Sequence, residues 1–215
     1  MAPNLPPPYI FRIFLLEDED ELRTDLRDSM LRKLKDTEVV TAACIEEAER
    51  ILKSDKQGFT IGVLDIRVPK RPGLQPEAHP EIANFMRDSK TPAIFITGYR
   101  GTDDVQEYLR KRNLVDPPVA IVEKRLTPGY LTGELYRHIH GLFCRRASAI
   151  VCSLITEMFG VSTGFPRSGT AMFIDVQFEI NAYWDYLDSD AKQLIEEWFV
   201  INSLENGEVE LTIRR

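Results

Sequence analysis

Five side chains of this sequence stand where they could handle a phosphoryl group. Glu17 and Asp18 follow the apolar run IFRIFLL at 10–16, Asp65 closes FTIGVLDI at 59–66, Thr97 closes PAIFIT at 92–97, and Lys124 follows VAIVE at 119–123. If each run is a strand of one parallel sheet, its last residue lies at the carboxyl edge, where open α/β sheets hold their ligands. Crowded carboxylates repel unless a cation joins them, and an all-oxygen acidic site suits Mg²⁺, which keeps several waters and often bridges to phosphate. A lysine facing the acids pairs with phosphate as a point charge, and a threonine hydroxyl can donate to the same oxygens. Moving phosphate onto a carboxylate is one of the forms of covalent catalysis, and Asp65 is the candidate acceptor.

The sheet that must position them is legible in the alternation of patterns. Ile10–Leu16 is nearly continuous in apolar residues, as a strand buried on both faces should be. Leu22, Leu26, Met30, Leu31 and Leu34 then recur at helical spacing. A second strand is expected over 39–43 and a second helix to about Lys53 with Ala48, Ile51 and Leu52 on its inner face. After the third strand comes a proline-rich loop, VPKRPGLQPEAHP, with Pro72, Pro76 and Pro80, then a helix over about 81–89. The fourth strand precedes a helix over 103–113 with Val105, Tyr108 and Leu109 inward, and the fifth precedes a helix from about Leu131. Strand–helix repeats of this kind give a parallel sheet covered on both faces by right-handed crossovers. Five in about 135 residues suit a doubly wound α/β domain of flavodoxin-like order.

At these residues the stretch from about 11 to 142 resembles the receiver domains of response regulators in two-component signalling. The resemblance lies in LLEDEDELR at the first strand, Leu64-Asp65-Ile66-Arg67-Val68-Pro69 followed by Gly73, Phe95-Ile96-Thr97-Gly98, and Ile121-Val122-Glu123-Lys124. It implies that Asp65 accepts a phosphoryl group from a sensor histidine kinase or phosphotransfer protein, with self phosphotransfer and hydrolysis as its only chemistry. It also implies that Glu17, Asp18, Asp65 and the backbone carbonyl of Arg67 hold Mg²⁺, Glu17 through a water, while Thr97 and Lys124 clasp the phosphorylated aspartate. No other cofactor is implied. Two positions depart from the family: Arg125, not proline, follows Lys124, and Ile121 stands where the family has its switch aromatic, with Tyr99 or Tyr108 as substitutes.

The acids at 17–21 also read as a solvated charge run opening a helix, where the helix dipole favours them; Asp65 and Lys124 in register weigh against that. A receiver fold that no longer takes phosphate is the alternative for the domain. His79, His138 and His140 read as surface or helix-packing residues. Cys44, Cys144 and Cys152 are few, odd in number and set in apolar stretches, so they read as small buried side chains and not as a disulfide frame.

The last third is patterned differently. Residues 147–215 hold four basic and eleven acidic side chains, a net −7 equal to that of the whole chain, which leaves 1–146 neutral. Binding DNA requires lysines and arginines to displace phosphate counterions, so no nucleic-acid partner is expected. A small α+β output unit that binds another protein or dimerises is expected over 147–215, and an enzymatic tail is the competing reading. Its elements are a helix over 150–159 ending at Gly160, a strand from the alternation of Ile174, Val176, Phe178 and Ile180, and a helix capped by Asp188 or Ser189 with Leu194, Ile195, Trp198 and Phe199 inward. A further strand carries Val209, Leu211 and Ile213, and VSTGFPRSGT at 161–170 reads as a loop. Trp184 and Trp198 read as core, with Tyr183-Trp184-Asp185-Tyr186 as a possible partner surface. The fifth receiver helix can run through Arg145-Arg146 into 150–159 as one element, weakened at Gly141. Residues 1–8 read as a disordered proline-rich lead, and 9–146 as the receiver. No run approaches the roughly 18 apolar residues of a membrane span, and MAPNLPPPYIF lacks the features of a secretion signal. The expected location is the cytoplasm.

Overall fold

The computed structural model describes residues 11–98, 103–115, 119–124, 128–159, 170–204 and 208–214. Strand β1 (Phe11–Leu16) is followed by helix α1 (Asp20–Lys33), β2 (Thr37–Ala42), α2 (Ile45–Ser54) and β3 (Ile61–Asp65). Two short strands, β4 (Arg67–Val68) and β5 (Glu77–Ala78), precede α3 (Pro80–Asp88), β6 (Ala93–Thr97), α4 (Asp103–Val115) and β7 (Ala120–Glu123). Helix α5 (Pro128–Phe159) leads to α6 (Thr170–Tyr183), one 3₁₀ turn (Trp184–Tyr186), α7 (Ser189–Trp198), β8 (Phe199–Ser203) and β9 (Val209–Ile213).

β1, β2, β3, β6 and β7 form one parallel sheet in the order β2-β1-β3-β6-β7. Counted among themselves this is the flavodoxin-like order 2-1-3-4-5. The apolar run predicted for β1 is buried from Ile13 to Leu16, and β3 is buried throughout. One face of the sheet packs Phe14, Leu16, Leu64 and Phe95 against Ile45, Ala48 and Leu52 of α2 and Ile82, Ala83 and Met86 of α3. Gly62 allows this closeness: a Cβ there would meet Met86 Sδ at 3.1 Å. Leu26 and Met30 of α1 are buried as their spacing predicts, whereas Leu31 is exposed. Pro80, last of the loop prolines, takes the first position of α3, where its missing N–H costs nothing.

The chain divides into two compact units, Met1–Ile139 and His140–Arg215, and the division falls inside α5. That helix runs unbroken for 32 residues, so the single long element expected across Arg145-Arg146 is present.

Within the second unit one expectation fails. Residues 174–180 are not a strand; they lie in α6. Val176 and Ile180 are buried and four apart, the spacing of one helix face, while Phe178 between them is exposed. The alternation is a coincidence of apolar residues on both sides of a short helix. α7 is capped as expected: Asp188 Oδ1 accepts from Ala191 N at 2.9 Å. Phe199, read as helical, instead begins β8, which pairs antiparallel with the anticipated β9. Phe159 stacks on Trp198 at 4.2 Å and meets Phe199 edge-on at 5.4 Å; Phe159 and Phe199 are core residues, whereas Trp198, expected in the core, is half-buried at its margin. Cys44 is buried, but Cys144 and Cys152 are only half-buried; all three are free thiols. Gly160 and 161–169 lie outside the described residues.

Candidate functional site

The register of the sheet brings the chemistry-bearing residues to one edge. Leu16 pairs with Leu64, Asp65 with Ile96 and Thr97 with Glu123, so the residues at and just beyond these strand ends stand side by side. Lys124 N donates to Thr97 O at 3.0 Å, and Glu17 N to Ala42 O at 3.1 Å, which carries the ladder one step past each strand. Arg23, one turn into α1, donates to the carbonyl oxygens of Glu17 (2.7 Å) and Asp18 (3.4 Å) and fixes the turn that presents them.

Lys124 Nζ lies 2.6 Å from Asp65 Oδ2 and 2.7 Å from the Glu17 carboxylate. Carboxylate oxygens of Glu17, Asp18 and Asp65 approach within 4.8 Å of one another, and no other group of metal-binding side chains occurs among the described residues. Asp65 Oδ1 accepts from Arg67 N at 3.2 Å. Glu17 is fully buried, Asp65 nearly so, and Asp18 half-buried. Thr97, at the end of β6, is also fully buried. Asp18, Asp65, Gly98 and Lys124 open on a cleft of about 520 Å³ whose far wall is Arg67, Gln75 and Pro76.

Burial, and then the neighbouring charge of Asp65, push the Glu17 carboxyl up to about 7, although Lys124 pulls the other way. Burial likewise raises Asp65, against the opposing effects of Lys124 and the Arg67 N–H. Burial would lower the Lys124 ammonium, but the charges and hydrogen bonds of Asp65 and Glu17 outweigh it and hold the ammonium above its ordinary value. One ammonium thus faces three carboxylates and leaves two of them reluctant to ionise. That is the electrostatics of a site short of positive charge, and an all-oxygen donor set of this kind fits a hard divalent cation.

Glu17, Asp18, Asp65 and Lys124, predicted from strand ends, therefore meet at one rim; Thr97 stands at the neighbouring strand end with its side chain fully buried, and Arg67 lines the same cleft. The sequence did not reveal Gln75 and Pro76 in the wall. They are placed there by the small β4–β5 hairpin, in which Arg67 pairs with Ala78 and Val68 with Glu77, and by the Arg67 guanidinium donating to Pro76 O at 3.2 Å. Two-residue strands leave no periodicity to read; only Arg67 and the flanking prolines hinted at them. Ile121 is half-buried against the core, and Tyr108 meets Phe95 edge-on at 5.7 Å, while Tyr99 and Arg125 lie outside the described residues. None of the histidines stands at a strand end of the five-stranded sheet: His79 lies between β5 and α3, and His138 and His140 lie on α5.

No protein-family model matches the chain, and no curated protein does. Among solved structures it is similar to the non-phosphorylated HemR receiver domain from Leptospira biflexa, at 25% identity over 60% of this chain and 94% of that one, with a TM-score of 0.46. It is similar to a CheY-like response regulator receiver domain protein from Methanospirillum hungatei JF-1, at 17% identity over 59% and 91%, TM-score 0.45. It is also similar to the response regulator protein TrrA from Thermotoga maritima, solved in complex with Mg(2+)-BeF, at 22% identity over 60% and 99%, TM-score 0.42.

Proposed function

We propose that the N-terminal part of the chain is a receiver that takes a phosphoryl group onto Asp65, and that residues 147–215 are a protein-interaction or dimerising output gated by it. The observation that supports this best is the placement of Asp65. It is a carboxylate at the carboxyl edge of the central strand, open to a cleft, 2.6 Å from an ammonium and beside two further acids.

In this reading a carboxylate oxygen of Asp65 attacks phosphorus while the bond to the donor's imidazole nitrogen breaks. The imidazole leaves with the bonding pair and is protonated. Lys124, which now shares its ammonium between Asp65 and Glu17, offsets part of the cost that burial sets on the Asp65 anion, then turns to the phosphoryl oxygens. The Thr97 hydroxyl, at the neighbouring strand end, donates to the same group. Glu17, Asp18, Asp65 and the Arg67 carbonyl would hold Mg²⁺, which when bound neutralises charge on the phosphoryl oxygens. Water later cleaves the acyl phosphate and restores Asp65, so the chain is a phosphoacceptor and not an enzyme acting on a separate substrate. The donor is a sensor histidine kinase or phosphotransfer protein of the cytoplasm. The acidic C-terminal third speaks against nucleic acid as its target. No described helix is long and apolar enough to cross a membrane.

Incubation with acetyl phosphate and Mg²⁺, followed by intact mass measurement, tests the proposal. The mass should rise by one phosphoryl group, and the gain should vanish with a chelator or in Asp65→Asn, which keeps the shape of the side chain. No gain, or a gain that survives Asp65→Asn, overturns it.

A further inference from the structure

The hairpin β8–β9 has two unlike edges. Leu204 N donates to Glu208 O and Arg214 N to Trp198 O, which fixes the even-numbered residues as the hydrogen-bonded pairs of the ladder. The odd-numbered residues therefore turn their N–H and C=O groups outward, away from the other strand.

On β9 the outward groups are closed off. Val209 N donates to Asn181 Oδ1 (2.7 Å) and Leu211 N to Gln177 Oε1 (2.8 Å). Val209 O accepts from both amides, Gln177 Nε2 at 2.5 Å and Asn181 Nδ2 at 2.9 Å. Two side chains of α6 thus imitate a neighbouring strand. On β8 the corresponding groups belong to Phe199, whose carbonyl accepts from Arg214 Nε at 3.0 Å, and to Ile201 and Ser203. No strand among the described residues pairs with Ile201 and Ser203 there, and Val200, Asn202, Ser203 and Leu204 are exposed around them.

Proteins that leave a strand edge open ordinarily guard it with lysine, proline, a bulge or an inward charge. The strand itself has none of these: its sequence is FVINS and its register with β9 is unbroken from Phe199 to Ser203, with Arg214 bonded at its Phe199 end, two residues before Ile201. The surroundings are acidic. Glu196 and Glu197 are exposed just before the strand, and Glu208 and Glu210 are exposed on or beside β9. The unit from His140 to Arg215 holds six basic and eleven acidic side chains, a net −5. A second copy brought to this edge would meet its own charge.

We propose that the outer edge of β8 is a docking strip for an extended, basic segment of a partner polypeptide, which adds to the hairpin as a third strand. Main-chain bonds to Ile201 and Ser203 supply the affinity, and alternate side chains of the added strand supply the selection. One set lies beside Ile201; the other lies beside Val200 and Asn202 on the acidic, exposed face and should be lysine or arginine. The inference rests on the C-terminal region being an interaction output, but not on phosphotransfer to Asp65, and its test uses no phosphodonor.

The full-length chain, labelled for amide detection, is titrated with a synthetic peptide of alternating lysine and valine and with its glutamate counterpart. The lysine peptide should shift the Ile201 and Ser203 amides and slow their exchange, and high salt should weaken it. Ser203→Pro deletes one outward N–H, spares the ladder donors of Asn202 and Leu204, and should weaken binding roughly tenfold. Val200→Lys, at an exposed position, places a like charge on the strip and should weaken it as well; it carries the test if the proline variant does not fold. Equal binding of the glutamate peptide, shifts confined to other elements, or unchanged affinity in a folded variant overturns the proposal. So does protection of the β8 amides by self-association without peptide, which would make the occupant a second copy.

Discussion

Glu17 is a fully buried acid, and its ionisation should be visible in the stability of the protein. The carboxyl is fully buried and held at about 7, against a reference value of 4.5. Between those values the native state keeps a proton that the unfolded chain has released. The contribution of Glu17 is therefore fully present below about pH 4.5 and is lost as the pH rises through about 7. Lys124 does not mask this: its ammonium is raised further above 10.5, so its contribution persists across the whole window. Glu17→Gln removes the proton equilibrium while keeping the shape. The stability of the variant relative to the parent should rise by roughly 3 kcal/mol between pH 4.5 and pH 8, at about 1.4 kcal/mol for each tenfold in proton affinity. Urea unfolding in the presence of a chelator measures it. A difference between the two proteins that stays flat with pH shows that the carboxyl ionises as it would in water. If the acids hold Mg²⁺ as proposed, adding it should narrow the gap in favour of the parent.

At the scale of elements, α6 is tied to β9 by side-chain amides, so its stability should be lost locally when they are removed. Gln177→Ala with Asn181→Ala leaves the N–H groups of Val209 and Leu211 and the Val209 carbonyl without their partners. Unpaired groups of this kind cost about 1–3 kcal/mol each when buried, and partial access to water should bring the total to roughly 2 kcal/mol. Amide exchange at Val209 and Leu211 should quicken, whereas Glu210 and Thr212, bonded across the hairpin, should respond less. Unchanged exchange at Val209 would mean that the amides are incidental. The same contacts explain why α6 was illegible in the sequence. Gln177 read as the polar residue of an alternating strand, when its polarity serves a strand some thirty positions further on. β8 was hidden for a different reason: Phe199 follows Trp198 with no glycine, proline or asparagine to mark the change from helix to strand. By contrast β1, β3 and β6 were legible because burial on both faces demands continuous apolar runs, and β7, an edge strand only partly buried, because its short apolar run is likewise cut off at a polar residue. That abrupt end is also why Glu17, Asp18, Asp65, Thr97 and Lys124 could be picked out. Gln75 and Pro76 could not, since a loop residue reaches the cleft through a two-residue hairpin that no pattern announces.

For the molecule as a whole the decisive element is α5, because the division between the compact units falls within it, between Ile139 and His140. In an α-helix the N–H groups of residues 140–143 donate to the carbonyls of 136–139, so backbone hydrogen bonds run directly across the division. Gly141 sits among those donors and is the weakest helix former there. A Cβ at this position would meet only Arg145 Nη1, at 3.7 Å, an ordinary contact, so Gly141→Ala should be accommodated and should stabilise the chain by about 0.5–1 kcal/mol. Gly141→Pro removes one of the crossing bonds and clashes with the preceding turn, at a cost of about 3 kcal/mol. The two substitutions should also differ in cooperativity. Both tryptophans, Trp184 and Trp198, belong to the second unit, so their fluorescence follows that unit, while amide exchange in β1, β3 and β6 follows the first. If α5 couples the units, the two probes should give one shared urea midpoint in Gly141→Ala and separate midpoints in Gly141→Pro. Coincident midpoints in the folded proline variant would show that the helix does not carry the coupling, and any signal passing from Asp65 to the C-terminal unit would then need another route.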